Sequence, residues 1–189
     1  RRRARGTVRA IKPWMWAVGI AAALALASGG ITIIKWLKPP FTGGVHKRTQ
    51  VPRGIVLHWT VTSSAASTLK ILQNRDLATA YEVGLDGTVY EYVDPALWYT
   101  DTSGGGANAA TIGIDITHKP GDPWSAVQLA SLRTLMRQLS VRFGFALVVA
   151  PDGVRQDWAQ WAKTPYTVFR HRNLRPTACP GDLPVEVLV

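Results

Sequence analysis

Apolar residues follow three different patterns along this 189-residue chain, and each pattern predicts a different element. The first is an unbroken run. From Trp14 to Ile34, 21 residues pass without a charged side chain. As a helix this would span roughly 32 Å, close to the ~30 Å hydrocarbon thickness of a bilayer. Trp14 and Trp16 stand at one end and Trp36 at the other, where amphipathic indoles favour the headgroup level. The run predicts a transmembrane helix over residues 14–37. Ala25-Leu26-Ala27 before Ser28 resembles the small-x-small site of a cleavable secretory signal. The run continues past that site through Ile31, Ile33 and Ile34, which favours an uncleaved signal anchor. A buried core helix would show an apolar stripe rather than all-round apolarity.

The second pattern is the short β-branched block. Ile55 to Thr60 reads as a buried strand, as do Thr111 to Thr117, Phe145 to Ala150 and Tyr166 to Arg170. Tyr81 to Gly84 and Thr88 to Val93 flank Asp86-Gly87, a strong hairpin signal because both residues tolerate positive φ. The third pattern is helical spacing. Ser63 or Ser64 caps a helix running to about Leu77, with Leu69, Leu72 and Leu77 for a buried face. Pro123 to Phe143 places Leu132, Leu135, Met136, Leu139 and Phe143 on one face, with Asp122 or Ser125 as cap. Interspersed strands and helices predict an α/β domain: a mixed β-sheet flanked by helices, preceded by one transmembrane helix.

Charge sharpens the division. The chain carries 22 Lys and Arg against 12 Asp and Glu, a formal charge of +10. All of the excess lies before residue 51, where there is no acid at all. Residues 51–189 are neutral and of a length that suits one core. A nucleic-acid-binding fold would carry its positive charge on the folded part, so no nucleic-acid partner is expected. The expected organisation is a basic cytoplasmic N-terminus (1–13), a signal anchor (14–37), a linker containing Pro39-Pro40 and Gly43-Gly44 (38–50), and one domain (51–189). The basic flank orients the domain to the extracytoplasmic side of an inner membrane, with the lipid bilayer as a partner.

Candidate chemistry begins with the one cysteine, Cys179. In an exported domain it has no internal disulfide partner. It is either a small buried hydrophobe or a metal ligand. His171 lies eight residues earlier, at the end of a strand and before a proline-bounded loop, so both side chains could meet one ion. His58, mid-strand among apolar neighbours, is either a hydrogen-bonded core histidine or the third ligand. Two His and one Cys would leave zinc an open position, the catalytic arrangement. Asp115 is a carboxylate on a strand of apolar residues, an uncommon place. It is either a base, or an orienting or backbone-satisfied group. His46 and His118 read as ordinary surface residues. Trp158 and Trp161 would share a helical face of unassigned role.

Four segments taken in order resemble a known family. They are Ile-Val-Leu-His58-Trp-Thr, Val-Gly-Leu-Asp86-Gly-Thr-Val-Tyr, Asn108-Ala-Ala-Thr-Ile-Gly-Ile-Asp115 and His171-Arg-Asn-Leu-Arg-Pro-Thr177-Ala-Cys179-Pro. Together they are similar to the zinc N-acetylmuramoyl-L-alanine amidases, in the amidase-2 domain shared by phage amidase lysozymes and peptidoglycan recognition proteins. The resemblance implies a mixed sheet with flanking helices and Zn2+ held by His58, His171 and Cys179. It implies hydrolysis of the amide joining N-acetylmuramic acid to L-alanine, with peptidoglycan as partner. Asp115 falls where many members carry a catalytic Glu.

Two departures from the family are visible. Thr177 stands where phage-type members place a Lys; its hydroxyl can support an oxyanion but brings no charge. Thr79 stands where several relatives have an active-site Tyr, and Tyr81 is the candidate substitute. The substrate groove is expected around Trp59, Thr79, Tyr81, Trp98 and Asn108. Among family roles, the anchor suggests a phage lysis protein, a virion component that opens the wall, or a wall-remodelling enzyme, with virion or membrane-protein partners. Some recognition proteins bind the wall without cutting it, and that is the competing expectation.

Overall fold

The computed structural model describes residues 23–28, 30–157 and 163–189. The strands are β1 (Ala23–Ser28), β2 (Ile31–Trp36), β3 (Val45–Lys47), β4 (Gly54–Trp59), β5 (Tyr81–Val83), β6 (Val89–Glu91), β7 (Trp98–Thr100), β8 (Thr111–Ile116) and β9 (Val168–Arg170). The helices are α1 (Ala65–Asn74), α2 (Ala107–Ala110), α3 (Ala126–Phe143) and α4 (His171–Leu174), and a 3-10 turn spans Val185–Leu188.

Seven strands form one mixed sheet in the order β1-β2-β6-β5-β8-β4-β9, while β3 and β7 pair separately. The strands β5, β8, β4 and β9 run parallel to one another. The expected α/β class with a mixed sheet and flanking helices is what the chain adopts.

Alternation along the central strands separates two faces. Ile55 and Leu57 of β4, and Ile112, Ile114 and Ile116 of β8, enter the main core with Leu132, Leu135, Met136 and Leu139 of α3. The cap of α3 is Ser125, whose side chain accepts from the Gln128 amide; Gly144 ends the helix in the left-handed region at φ 72°. The alternate residues, Val56 and His58 of β4 and Asp115 of β8, belong to the other face. Val56 packs there with Ala110, Ala150 and Phe169. The Asp86-Gly87 turn joins β5 and β6 as expected, with Gly87 at φ 79°.

The largest departure lies at residues 23–36. A helix through residues 14–37 is expected, but Ala23–Ser28 and Ile31–Trp36 form an antiparallel hairpin, with Ser28 opposite Ile31 and Gly30 at φ 87°. The second arm joins the sheet parallel to β6, and Ile31 and Ile33 are buried in the main core while Thr32 is exposed. The physical reason is local. Ile31, Thr32, Ile33 and Ile34 are all β-branched, and Thr32 stands exposed between the buried Ile31 and Ile33, a combination that favours a strand and that overall hydropathy does not register. No helix among the described residues is long and apolar enough to cross a membrane. The flanking Trp14 and Trp16 lie outside the described residues.

A smaller correction concerns Phe145 to Ala150, which is not a strand; it contributes an isolated bridge from Val149 to Val168. The short helix α2 leads directly into β8.

Candidate metal centre

The site forms at the carboxyl ends of the parallel strands, the usual position for ligands in open α/β sheets. His58 is the fifth residue of β4, and its Cα partner on β8 is Asp115. On the other side of β4, β9 ends at Arg170, so His171 opens α4 beside the same strand ends. A loop then returns Cys179 to the site. Its path is held by three contacts: the Arg172 amide donates to the Cys179 carbonyl at 2.9 Å, the Cys179 amide donates to Thr177 Oγ1 at 3.2 Å, and the Arg172 guanidinium donates to the Gly181 carbonyl. Gly181 sits at φ 66°, and a Cβ there would lie 2.3 Å from the Trp59 ring, so the loop closes this tightly only with glycine.

His58, His171 and Cys179 thus converge, with their ligand atoms all within 4.8 Å of one another. His58 Nδ1 is 3.8 Å from Cys179 Sγ, and the two imidazole rings are 4.4 Å apart centre to centre. The Trp59 amide donates to Cys179 Sγ at 3.3 Å. His58 Nε2 and His171 Nε2 are buried, and neither has a hydrogen-bond partner. Buried polar atoms normally find one. Two imidazoles and a thiol within this reach of one another are the donor set that zinc takes, at ~2.0–2.1 Å to nitrogen and ~2.3 Å to sulfur. The residues present therefore fit that ion.

The electrostatics agree for the histidines. Burial first, and then the neighbouring His171, holds His58 well below the ordinary imidazole range. Burial first, and then Arg175, lowers His171 to about 4. Both rings are neutral at physiological pH, which is the ligating form. Burial pushes the Cys179 thiol up to about 12 without a cation, although the Trp59 amide opposes this. A bound divalent cation reverses that balance, because a coordinating thiol is deprotonated outright.

Asp115 is buried, and desolvation, then repulsion from Glu82, lifts its carboxyl well above the usual range. His58, Trp59, Asp115, His171, Thr177 and Cys179 all line one open cavity of about 330 Å³. Thr177 is exposed on its rim.

The other expected groove residues lie elsewhere. Thr79 is fully buried, and its hydroxyl donates to the carbonyls of Tyr81 and Gly113 at 3.2 Å each. Tyr81 is in the main core, on the opposite face from the cavity, so it does not take the place of an active-site tyrosine. Trp98 packs against that core. Asn108 organises the glycine-rich loop: its side-chain oxygen accepts from the Ser103 and Gly104 amides and its nitrogen donates to Asp101.

His118 is also not a surface residue. It is buried, stacked 3.6 Å from Trp124, with Trp59 6.1 Å away on a near-parallel plane. His46 is exposed and pairs with Asp101 at 2.6 Å. The 151–157 segment braces α4: Asp152 takes a bidentate contact from Arg172 at 2.6 Å, and the Gln156 amide donates to the Asn173 carbonyl at 2.7 Å. Trp158 and Trp161 lie outside the described residues.

Glu82 and the threonines 62 and 68 escape a motif-based reading. The one signal for Glu82 is a charged residue amid apolar strand positions, which places it on the same face as Asp115.

Comparison with known proteins comes down to one family and one fold. Residues 48–182 match the family profile described as N-acetylmuramoyl-L-alanine amidase, Amidase_2. No curated protein sequence matches the chain. Among solved structures, the Ph2119 endolysin from Thermus scotoductus MAT2119 bacteriophage Ph2119 is 20% identical, with a TM-score of 0.57 over 78% of this chain and 88% of that one. The N-acetylmuramoyl-L-alanine amidase LysC from Clostridium intestinale URNW is 21% identical, with a TM-score of 0.59 over 82% and 93%. A mutant endolysin from Bacillus subtilis is 20% identical, with a TM-score of 0.61 over 84% and 96%. At these identities the likeness is one of fold.

Proposed function

The chain belongs to the N-acetylmuramoyl-L-alanine amidase family (Amidase_2), and on that premise we propose that it hydrolyses the amide between N-acetylmuramic acid and L-alanine in peptidoglycan, using zinc. The observation that carries this reading is the convergence of His58, His171 and Cys179 in a cavity that also contains Asp115 and Thr177.

His58, His171 and Cys179 would hold the ion. When bound, zinc would acidify a water and polarise the scissile carbonyl. Asp115 acts as the base: it takes a proton from the attacking water and passes it to the nitrogen of the departing L-alanine. Burial suits it to that role, since a desolvated carboxylate is a stronger base. The carbon–nitrogen bond breaks as the carbon–oxygen bond forms. Thr177 accepts from the Cys179 amide, which leaves its own O–H free to donate to the oxygen developing charge.

The proposed location is the extracytoplasmic face of a bacterial inner membrane, where this substrate lies. The basic residues between Arg1 and Lys12 have affinity for an anionic leaflet, at ~1 kcal/mol each near the surface. A role in phage lysis or wall opening by a virion belongs to the same proposal.

The test is digestion of purified sacculi with and without zinc, scored by newly exposed L-alanine amino groups. Cys179→Ser and Asp115→Ala serve as controls. Release by the wild type that disappears in both variants supports the amidase. Intact binding to sacculi with no release by the zinc-loaded wild type overturns it. One observation favours that second reading of a binding module: the cavity lacks both the tyrosine and the lysine of related amidases, because Thr79 is sequestered and position 177 is threonine.

A further inference from the structure

Besides its histidines and cysteine, the cavity that holds the metal-ligand trio is lined by three ionisable side chains, Arg75, Asp101 and Asp115. Asp115 is buried beside His58 and serves the proposed reaction. Asp101 is committed twice, to His46 at 2.6 Å and to the Asn108 side-chain nitrogen at 2.9 Å. Arg75 has neither kind of commitment. It caps the end of α1 through its backbone alone, its amide donating to the Ile71 and Leu72 carbonyls at 3.2 and 3.1 Å. Among the described residues its exposed guanidinium has no ion-pair or hydrogen-bond partner. The adjacent carboxylate does not neutralise it: Asp76 turns the chain at φ 50° and takes a hydrogen bond from Thr42 at 3.4 Å. Arg175, whose charge reaches His171, lies over Gly104 and outside the lining of this cavity.

The position of Arg75 follows from helical spacing. Thr68, Ile71, Leu72 and Arg75 recur at three- and four-residue intervals along α1, so they share one face, and all four line the cavity. Thr68 is the end of this stripe nearer the trio. Its hydroxyl is 2.7 Å from that of Thr62, which is 2.7 Å from that of Thr60, two positions beyond His58. Arg75 lies seven residues further along the helix, roughly 10 Å at 1.5 Å per residue. An extended peptide covers ~3.3–3.6 Å per residue, so the stripe matches about three residues of one. Along it the wall offers hydroxyls, then the apolar Ile71 and Leu72, then an unpaired cation.

We propose that Arg75 is a specificity residue of this cavity, binding a carboxylate of the substrate's peptide so that the peptide arm lies along α1. The assignment of the arm rests on the amidase reading above. On that reading the two arms differ in charge. The glycan arm has its amine acetylated and its lactyl carboxyl tied up in the scissile amide, so it brings no carboxylate to the site. The peptide arm carries the free carboxylates. A guanidinium without a partner therefore favours the peptide arm on its side of the cavity and disfavours the reversed orientation. Its planar fork matches a carboxylate through two parallel hydrogen bonds, which a lysine does not reproduce. Because the group is exposed, the attraction weakens with added salt. Arg75 binds substrate away from the trio and takes no part in proton transfer, so its loss falls on KM.

Two readouts on the full chain with zinc added test this, using N-acetylmuramoyl-L-alanyl-D-glutamic acid, its two mono-amides and its diamide. The first needs no turnover: calorimetric binding of these probes in an Asp115→Asn background. The acid binds about tenfold more tightly than the diamide, the low end for a hydrogen bond to a charged group. The mono-amide that loses this advantage shows which carboxylate is read. The gap closes in Arg75→Ala and reopens in part in Arg75→Lys. Equal binding of acid and diamide overturns the subsite, and so does a gap that survives in Arg75→Ala. The second readout is turnover with Asp115 intact. Arg75→Ala raises KM for the acid about tenfold, to the value for the diamide, and Arg75→Lys recovers part of it. A loss confined to kcat overturns the binding role. If the wild type cuts none of the probes while the binding gap is present, the amidase reading fails and the carboxylate subsite stands. Cutting without a gap retains the amidase and overturns the subsite.

Discussion

His58 Nδ1 lies 3.8 Å from Cys179 Sγ, although 121 positions separate the two residues. β4 places the histidine, and the loop after α4, held by contacts from Arg172 and Thr177, delivers the thiol. On the proposed reading, Cys179→Ser removes a zinc ligand without disturbing this frame. Metal analysis after dialysis against a mild chelator should find roughly one zinc per wild-type chain, and at least about tenfold weaker retention in the variant. Equal zinc in both proteins would remove Cys179 from the ligand set.

Asp115 shares the cavity with the trio but is not a ligand in this scheme. Asp115→Asn should leave zinc content and sacculus binding intact while lowering kcat by about 10²–10⁴-fold. A loss of zinc parallel to the loss of activity would show that the carboxylate serves the metal centre rather than the proton.

Acid should weaken the metal-free fold. His171 binds its proton at about 4 in the folded chain against an ordinary 6.5, and burial depresses His58 in the same direction. Between those values the unfolded chain holds more protons, so folding stability rises with pH there. The contribution is complete above the unfolded value and is lost as pH falls through the folded one. Urea midpoints in the presence of chelator should drop between about pH 7 and about pH 4.5. The drop should be smaller in His171→Gln. An equal drop in that variant would assign the effect elsewhere.

Ile33 is a core residue of the sheet, not a lipid-facing one. Ile33→Ala should cost about 2–4 kcal/mol of unfolding free energy. Denaturant titration of the chain measures it directly. A neutral outcome would mean that β2 is dispensable and would restore the anchor reading of this segment.

Gly181→Ala should displace the Trp59 ring, because the added methyl has no space at a left-handed position. The expected cost is about 1–3 kcal/mol, accompanied by a change in tryptophan fluorescence and weaker zinc retention. Wild-type zinc affinity in this variant would show that the loop has slack.

Much of the domain is legible from local pattern. The β-branched blocks at Ile55 and Thr111, the Asp86-Gly87 turn and the striped α3 each carry their own physical signature. Residues 23–36 misled because composition and length spoke for a helix while the β-branched run of Ile31 to Ile34 spoke for a strand. Only the open edge of β6, supplying backbone partners for β2, decided between them. Thr79 and Tyr81 misled for a different reason. Motif spacing does not state which sheet face a side chain occupies, and a one-residue difference in register exchanges the faces.

The ordered motifs already contain the family, and the lone cysteine with its two histidines already names the residues that could hold a metal ion. These are matters of residue type and order, which a linear chain displays in full. Convergence is not. The meeting of His58, His171 and Cys179 and the sequestering of Thr79 depend on distances between residues far apart in the chain. Sheet order and register set those distances, and they arise from burying one face of every strand at once.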